Sequence, residues 1–245
     1  MGAPTKRETG NVRSSRVISR FPFHSSLPML YTFLYRQLYT HFAWAYDAVS
    51  WLVSLGRWDG WRRVALDFVV GADVLEVGSG TGELLTALVG RGLTVTGLEA
   101  SAAMHAITAR KLTERGLSVP RVQGFAQQLP FADRSFDTLL ITFPGGFIGS
   151  AAAHDEFARV LRPGGRLVIV DVALITDNPL LRLLFSLAFP PKPQAMTRLH
   201  KALNDSPLAI SRQFVGQGMA RVVITLGEKK PSPPYPSGWL NRCKM

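Results

Sequence analysis

Val74-Leu75-Glu76-Val77-Gly78-Ser79-Gly80-Thr81-Gly82 is the stretch whose reading decides the fold. The apolar run from Val74 to Val77 reads as a buried strand, and residues 82–89 read as a helix. Glycines between them let the chain turn sharply and let a ligand approach the backbone with no Cβ in the way. The helix N-terminus adds unpaired N–H groups and a partial positive charge. A nucleotide-type cofactor suits such a place at the carboxyl edge of a parallel sheet.

Working outward, strand and helix alternate. Residues 93–98 read as a strand ending at Glu99, residues 102–115 as a helix closed by Gly116, and residues 121–124 as a short strand. Residues 136–142 are a strand, 151–161 a helix stopped by Arg162-Pro163-Gly164-Gly165, and 166–172 a strand. This order predicts an α/β, Rossmann-like, doubly wound sheet that is mostly parallel, with helices on both faces. Residues 209–215 and 220–226, close in sequence, predict an antiparallel C-terminal hairpin. Residues 180–188 and 196–203 read as helices.

The chain divides into a flexible basic tail (1–28), an N-terminal helical lid (29–70), the α/β domain (71–228) and a loose C-terminal tail (229–245). In the lid, Leu30, Phe33, Leu34, Leu38, Phe42 and Tyr46 recur at helical steps. Residues 48–55 continue the apolar face, Gly56 and Gly60 are expected to break it, and Gly71 to end the last helix.

Three acids narrow the cofactor. A dinucleotide loop wants G-x-G-x-x-G, and here Glu83 stands where the third glycine belongs. Glu76 precedes the loop, and two carboxylates beside a pyrophosphate repel it. A cationic sulfonium cofactor carrying an amino group suits them better. Glu99, 17 residues after Gly82, is placed to accept hydrogen bonds from both ribose hydroxyls.

The formal net charge is +11 on 245 residues. Residues 72–171 hold 9 Lys/Arg against 10 Asp/Glu, whereas residues 1–63 hold 9 against 3 and residues 172–245 hold 10 against 3. The excess therefore lies in the flanks, which suit a solvated basic surface or contact with anionic lipid, nucleic acid or an acidic partner. The one cysteine, Cys243, excludes an intramolecular disulfide and a cysteine metal site, and agrees with a cytoplasmic setting. No apolar run reaches the roughly 20 residues of a spanning helix.

With these residues in view, residues 71–172 resemble the class I S-adenosylmethionine-dependent methyltransferases, in particular the branch called methyltransferase type 11. Four stretches carry the resemblance in order: VLEVGSGTGELL, the acidic end of LTVTGLEAS, VQGFAQQLPFADRSFDTLL and EFARVLRPGGRLVIVD. It implies seven strands with the last antiparallel, in keeping with the hairpin. It also implies S-adenosyl-L-methionine as cofactor, held residue by residue. Glu76 takes the methionine amino group. Gly78, Ser79 and Gly80 line the methionine and ribose portion, with Gly82 closing the loop. Glu99 takes the ribose, Ala100 and Met104 flank the adenine, Ala126 and Gln127 lie beside it, and Thr142 ends the fourth strand under the reactive methyl. The family carries Asp where this chain has Phe125, so adenine stacking on Phe125 is expected instead.

No metal site and no fixed catalytic residue follow from the motifs, because a sulfonium methyl needs mainly positioning and exclusion of water. Thr142-Phe143-Pro144-Gly145-Gly146 lacks the Asp/Asn-Pro-Pro-aromatic pattern of exocyclic-amine methylation, so a small acceptor is favoured over nucleic acid. Ala45-Tyr46-Asp47 resembles an element of quinone- and lipid-type relatives. Tyr46, Trp44 and Phe143 are therefore the substrate-side candidates, with Trp51 completing an aromatic roof. The apolar lid and basic flanks point to an apolar or aromatic acceptor met at an anionic membrane surface. Three alternatives stay open: a cofactor-binding partner protein without turnover, an RNA methyltransferase, and an NAD-type oxidoreductase.

Overall fold

A computed structural model describes residues 37, 40–174, 193–216 and 220–229. The expected basic tail, the first part of the lid with Leu30, Phe33, Leu34 and Leu38, the helix at 180–188 and residues 230–245 lie outside them.

Seven strands form one sheet: β1 (Asp73–Val77), β2 (Thr94–Glu99), β3 (Arg121–Gln123), β4 (Phe136–Thr142), β5 (Leu161–Leu174), β6 (Ala209–Val215) and β7 (Ala220–Glu228). Their order is β3-β2-β1-β4-β5-β7-β6. Strands β1 to β5 pair in parallel, and β7 is antiparallel to both β5 and β6. Chain order reverses between β1 and β4, and a ligand crevice opens at the carboxyl ends of strands at such a point.

Period-two burial explains why these strands are central. Leu75, Val77, Leu139, Ile141, Leu167 and Ile169 enter one core, while Val74, Leu140, Val168 and Val170 enter the other. A strand with apolar residues on both faces is stable only between two layers of helix. Helix α3 (Glu83–Val89) supplies Leu84, Leu85 and Leu88 to the second core. Helix α5 (Ala151–Val160) supplies Ala153, Phe157 and Val160 to the first. Helix α4 (Ala102–Glu114) starts at Ser101, whose side chain accepts the Met104 N–H at 3.3 Å. Helix α6 (Pro193–Asn204) packs on the short turn Gly146–Gly149.

Before the sheet come a turn at Ala43–Ala45, α1 (Tyr46–Ser54), α2 (Trp58–Arg63) and a further turn at Val64–Phe68. Gly56 ends α1 with φ 77°, but Gly60 lies inside α2 and does not break it. Its position is open, with no atom within 4 Å of an added Cβ, so the helix carries Gly60 only at the usual propensity cost. Nor does Arg162-Pro163-Gly164-Gly165 separate helix from strand. Leu161 is fully buried and already pairs with Phe136, so the chain enters the sheet directly after α5 and shifts register between Phe136 and Thr138.

Helix α1 is amphipathic in the reverse sense. Ser50 and Ser54 are buried, while Trp51, Leu52 and Leu55 are 64%, 66% and 82% exposed. Ser54 Oγ explains part of this, since it donates to Trp51 O and accepts the Trp58 N–H that starts α2.

Candidate cofactor site

The loop after β1 is built by its own glycines. Gly78, Gly80 and Gly82 all have positive φ, at 77°, 54° and 81°. The Gly78 and Ser79 N–H groups donate to Leu98 O at 2.7 and 3.1 Å, which lashes the loop to the end of β2. Thr108 Oγ1 donates to Gly80 O at 2.6 Å and to Met104 O at 3.1 Å, joining loop to α4.

A cleft of about 270 Å³ opens above this loop. Glu76, Gly78, Ser79, Gly80, Glu99, Ala100, Phe125, Ala126, Gln127 and Thr142 line it, with Tyr46 and Phe143 at the lid side. Four other candidates named from the sequence do not line it, Trp51 among them at 64% exposed. Met104 is fully buried beneath the loop, and Gly82 faces Thr108. Trp44 is 75% exposed and turned away. Trp58 takes the roof position instead, stacked on Phe143 with ring centroids 4.0 Å apart. The stacking steadies Phe143, a bulky residue held at φ 49° whose N–H donates to Val170 O. Of the histidines, His154 is a packing residue: it is buried against Phe157, with Nε2 2.9 Å from Ile148 O.

Glu99 is held as an acceptor. Its Oε2 accepts the Gly80 N–H at 2.9 Å and its Oε1 accepts the Ser101 N–H at 2.8 Å. Each oxygen keeps a second lone pair for a diol. Glu76 is the reverse case. It is buried, and its Oε2 has no hydrogen-bond partner. Burial pushes its pKa up to about 8, with Arg62 opposing and Glu99 reinforcing the rise. A buried carboxylate lacking a donor, beside a glycine loop and a diol acceptor, fits a ligand that brings an ammonium.

Because Glu76 keeps its proton in the folded chain up to about pH 8 but loses it near 4.5 when unfolded, stability falls as pH rises between those values. The fall approaches about 1.4 kcal/mol per pH unit and flattens above pH 8. Followed by thermal unfolding across pH 5–9, Glu76→Gln is expected to lack this fall and to be more stable than the ligand-free parent above pH 8. Parallel curves for parent and variant across that range rule it out.

Glu83 corrects a step of the sequence argument. It does not line the cleft; it is bound by Lys111 at 2.7 Å and Arg115 at 2.9 Å, and these cations hold its carboxyl below the usual range despite desolvation. Its charge is thus balanced locally and bears little on which cofactor enters. Lys111 also binds Asp47, and Thr81 Oγ1 donates to Asp47 Oδ1 at 2.8 Å, so the lid is tied to the loop itself.

The third and fourth stretches that carry the resemblance meet away from the cleft. Arg159 donates to Leu129 O, Phe131 O, Asp133 and Glu156, and Glu156 accepts the Leu129 N–H. This cluster fixes the segment that carries Phe125, Ala126 and Gln127. Among the described residues no group of His, Cys, Asp and Glu is arranged to hold a metal.

Residues 74–165 match the family described as methyltransferase domain. The demethylmenaquinone methyltransferase of Thermus thermophilus is 36% identical over 140 residues, covering 55% of this chain and 64% of that protein. That of Chlorobaculum parvum is 32% identical over 163 residues, covering 63% and 66%. The chain thus spans just under two thirds of these relatives' length. Among solved structures, geranyl diphosphate C-methyltransferase from Streptomyces coelicolor A3(2) superposes with TM-score 0.55 at 14% identity, covering 70% of this chain and 79% of that one. A [4+2]-cyclase does so with TM-score 0.55 at 19% identity, covering 71% and 81%. These structural likenesses carry the fold and nothing finer.

Proposed function

We propose that this protein, whose residues 74–165 match a methyltransferase domain, moves a methyl group from S-adenosylmethionine to a small apolar or aromatic acceptor of the quinone kind. The observation that carries the reading is the pair of acids on one cleft. Glu76 lacks a donor and Glu99 is held as a diol acceptor, which together match an amino-acid-bearing nucleoside.

Bound there, the cofactor supplies a methyl on a good leaving group. The chain's residues position the reactants and exclude water. Glu76 in its ionised form receives the ammonium, and Glu99 receives the ribose. Phe125, 67% exposed at the cleft mouth, offers its ring face to the base. Thr142, at the end of β4 on the cleft lining, would lie on the side of the reactive methyl. Thr142 to Phe147 form a wall without an ionisable side chain, and Tyr46 and Trp58 roof it. Such a wall favours an apolar acceptor that brings its own reactivity.

The relatives named as demethylmenaquinone methyltransferases support the quinone class. The outward apolar face of α1, followed by the exposed Arg57, supports a protein lying against an anionic bilayer. Among the described residues no helix is long and apolar enough to cross one.

One experiment tests both parts. The protein is incubated with methyl-labelled S-adenosylmethionine and demethylmenaquinone, oxidised or reduced, in anionic or neutral vesicles. Label is expected in the organic extract, and more of it with anionic vesicles. No label under any condition removes the quinone acceptor, and equal transfer in both vesicles removes the membrane part.

A further inference from the structure

Glu76 is not the only orphan in the cleft. Arg62, from α2, lines the same cavity with its side chain only 12% exposed. Its Nε is buried and has no hydrogen-bond partner. Its Nη2 donates to Asp59 at 2.9 Å, but Asp59 is 48% exposed and also binds Arg63, so that contact does not account for a guanidinium facing the cleft. A buried donor without an acceptor is costly, as is a buried acceptor without a donor. Here one of each, with opposite charge when ionised, lines one wall.

We propose that Arg62 is the carboxylate-binding residue of this cleft, so that Arg62 and Glu76 together clamp the zwitterionic amino-acid end of the ligand. The inference rests on the reading that the cleft takes S-adenosylmethionine, and it assigns the lid a specificity. Glu76 takes the ammonium and Arg62 takes the carboxylate. The cleft therefore selects nucleosides that keep an intact amino acid over those that have lost the carboxyl group. It also places the second half of the clamp on the N-terminal helices, outside the matched domain at 74–165.

The test uses ligands rather than turnover. S-adenosylhomocysteine and its decarboxylated analogue, which keeps the thioether and the amine, are titrated by calorimetry into the full chain. The parent is expected to prefer S-adenosylhomocysteine by about tenfold or more, as a charge-assisted hydrogen bond implies. In Arg62→Met that preference disappears: S-adenosylhomocysteine weakens by about the same factor while the analogue is unchanged. Arg62→Lys keeps part of the preference, and it serves as the test if Arg62→Met does not fold by thermal unfolding.

Equal weakening of both ligands makes Arg62 a structural residue and overturns the proposal. So does a parent that does not discriminate, and so does a preference that survives in both variants. Binding of neither ligand to the parent overturns the cofactor reading itself. Tight binding of both without dependence on Arg62 leaves that reading standing and removes only this inference.

Discussion

Glu99→Ala is expected to weaken S-adenosylhomocysteine by about 10²- to 10⁴-fold, the loss of two charge-assisted hydrogen bonds at about 1.5–3 kcal/mol each. The size follows from how the carboxylate is held. Both oxygens already accept backbone N–H groups, from Gly80 and Ser101, so the group is oriented before any ligand arrives. Alanine removes the diol acceptor and also leaves the Gly80 N–H without its partner, which loosens the loop that faces the ligand. Glu99→Gln keeps one acceptor oxygen and is expected to fall between. Calorimetry on both variants, with thermal unfolding as control, checks the order. Glu99→Ala binding as tightly as the parent would remove Glu99 from the site.

The second large effect is on stability. Gly82→Ala places a side chain at φ 81°, where an L-residue costs about 1–2 kcal/mol. The new Cβ also lies 2.5 Å from Thr108 Cγ2. Thr108 is fully buried, and its hydroxyl donates to Gly80 O and Met104 O, so it cannot turn aside without breaking those bonds. Overpacking adds about 1–3 kcal/mol. The sum, about 2–5 kcal/mol, corresponds to a fall in Tm of roughly 5–15 °C for a chain of this size. Thr108→Ala removes the overlap but also its own two hydrogen bonds, so the double variant is expected to lose less than the sum of the two single variants. Losses that simply add would show that the contact with Thr108 is not the cause.

The main strands, the loop and the mostly parallel character of the sheet were legible because they rest on local signals. Short apolar runs, glycines after β1 and helices between most of the parallel strands point to a doubly wound sheet. Side-chain direction near the site was not legible in the same way. Glu83 follows the loop in sequence, yet it points to Lys111 in the last turn of α4 and Arg115 just after it, whose four-residue spacing makes a cationic pair on one side. That spacing was a signal available in the sequence.

Two of the roof residues were misplaced for a different reason. Helical periodicity says which residues share a face, not which face meets the domain. Reading apolar as inward put Trp44 and Trp51 in the roof. The chain instead turns Ser50 and Ser54 inward, so Trp58 and Arg62 of the next helix reach the cleft. Arg62 looked like one more charge in a basic flank. Only its burial beside Glu76 separates it from its neighbour Arg63, which is half exposed and bound to Asp59.

Asp47 joins the two parts of the molecule that the ligands are expected to occupy. It is bonded to Thr81 in the loop and to Lys111 on α4, while its neighbour Tyr46 lines the cleft. Linkage makes such a junction symmetric. If an occupied loop steadies the lid and so raises affinity for the acceptor by some factor, an acceptor under the lid raises affinity for the occupant of the loop by that same factor. Neither ligand is then the effector and neither the target. Cutting the Asp47 junction is expected to bring both gains towards one together.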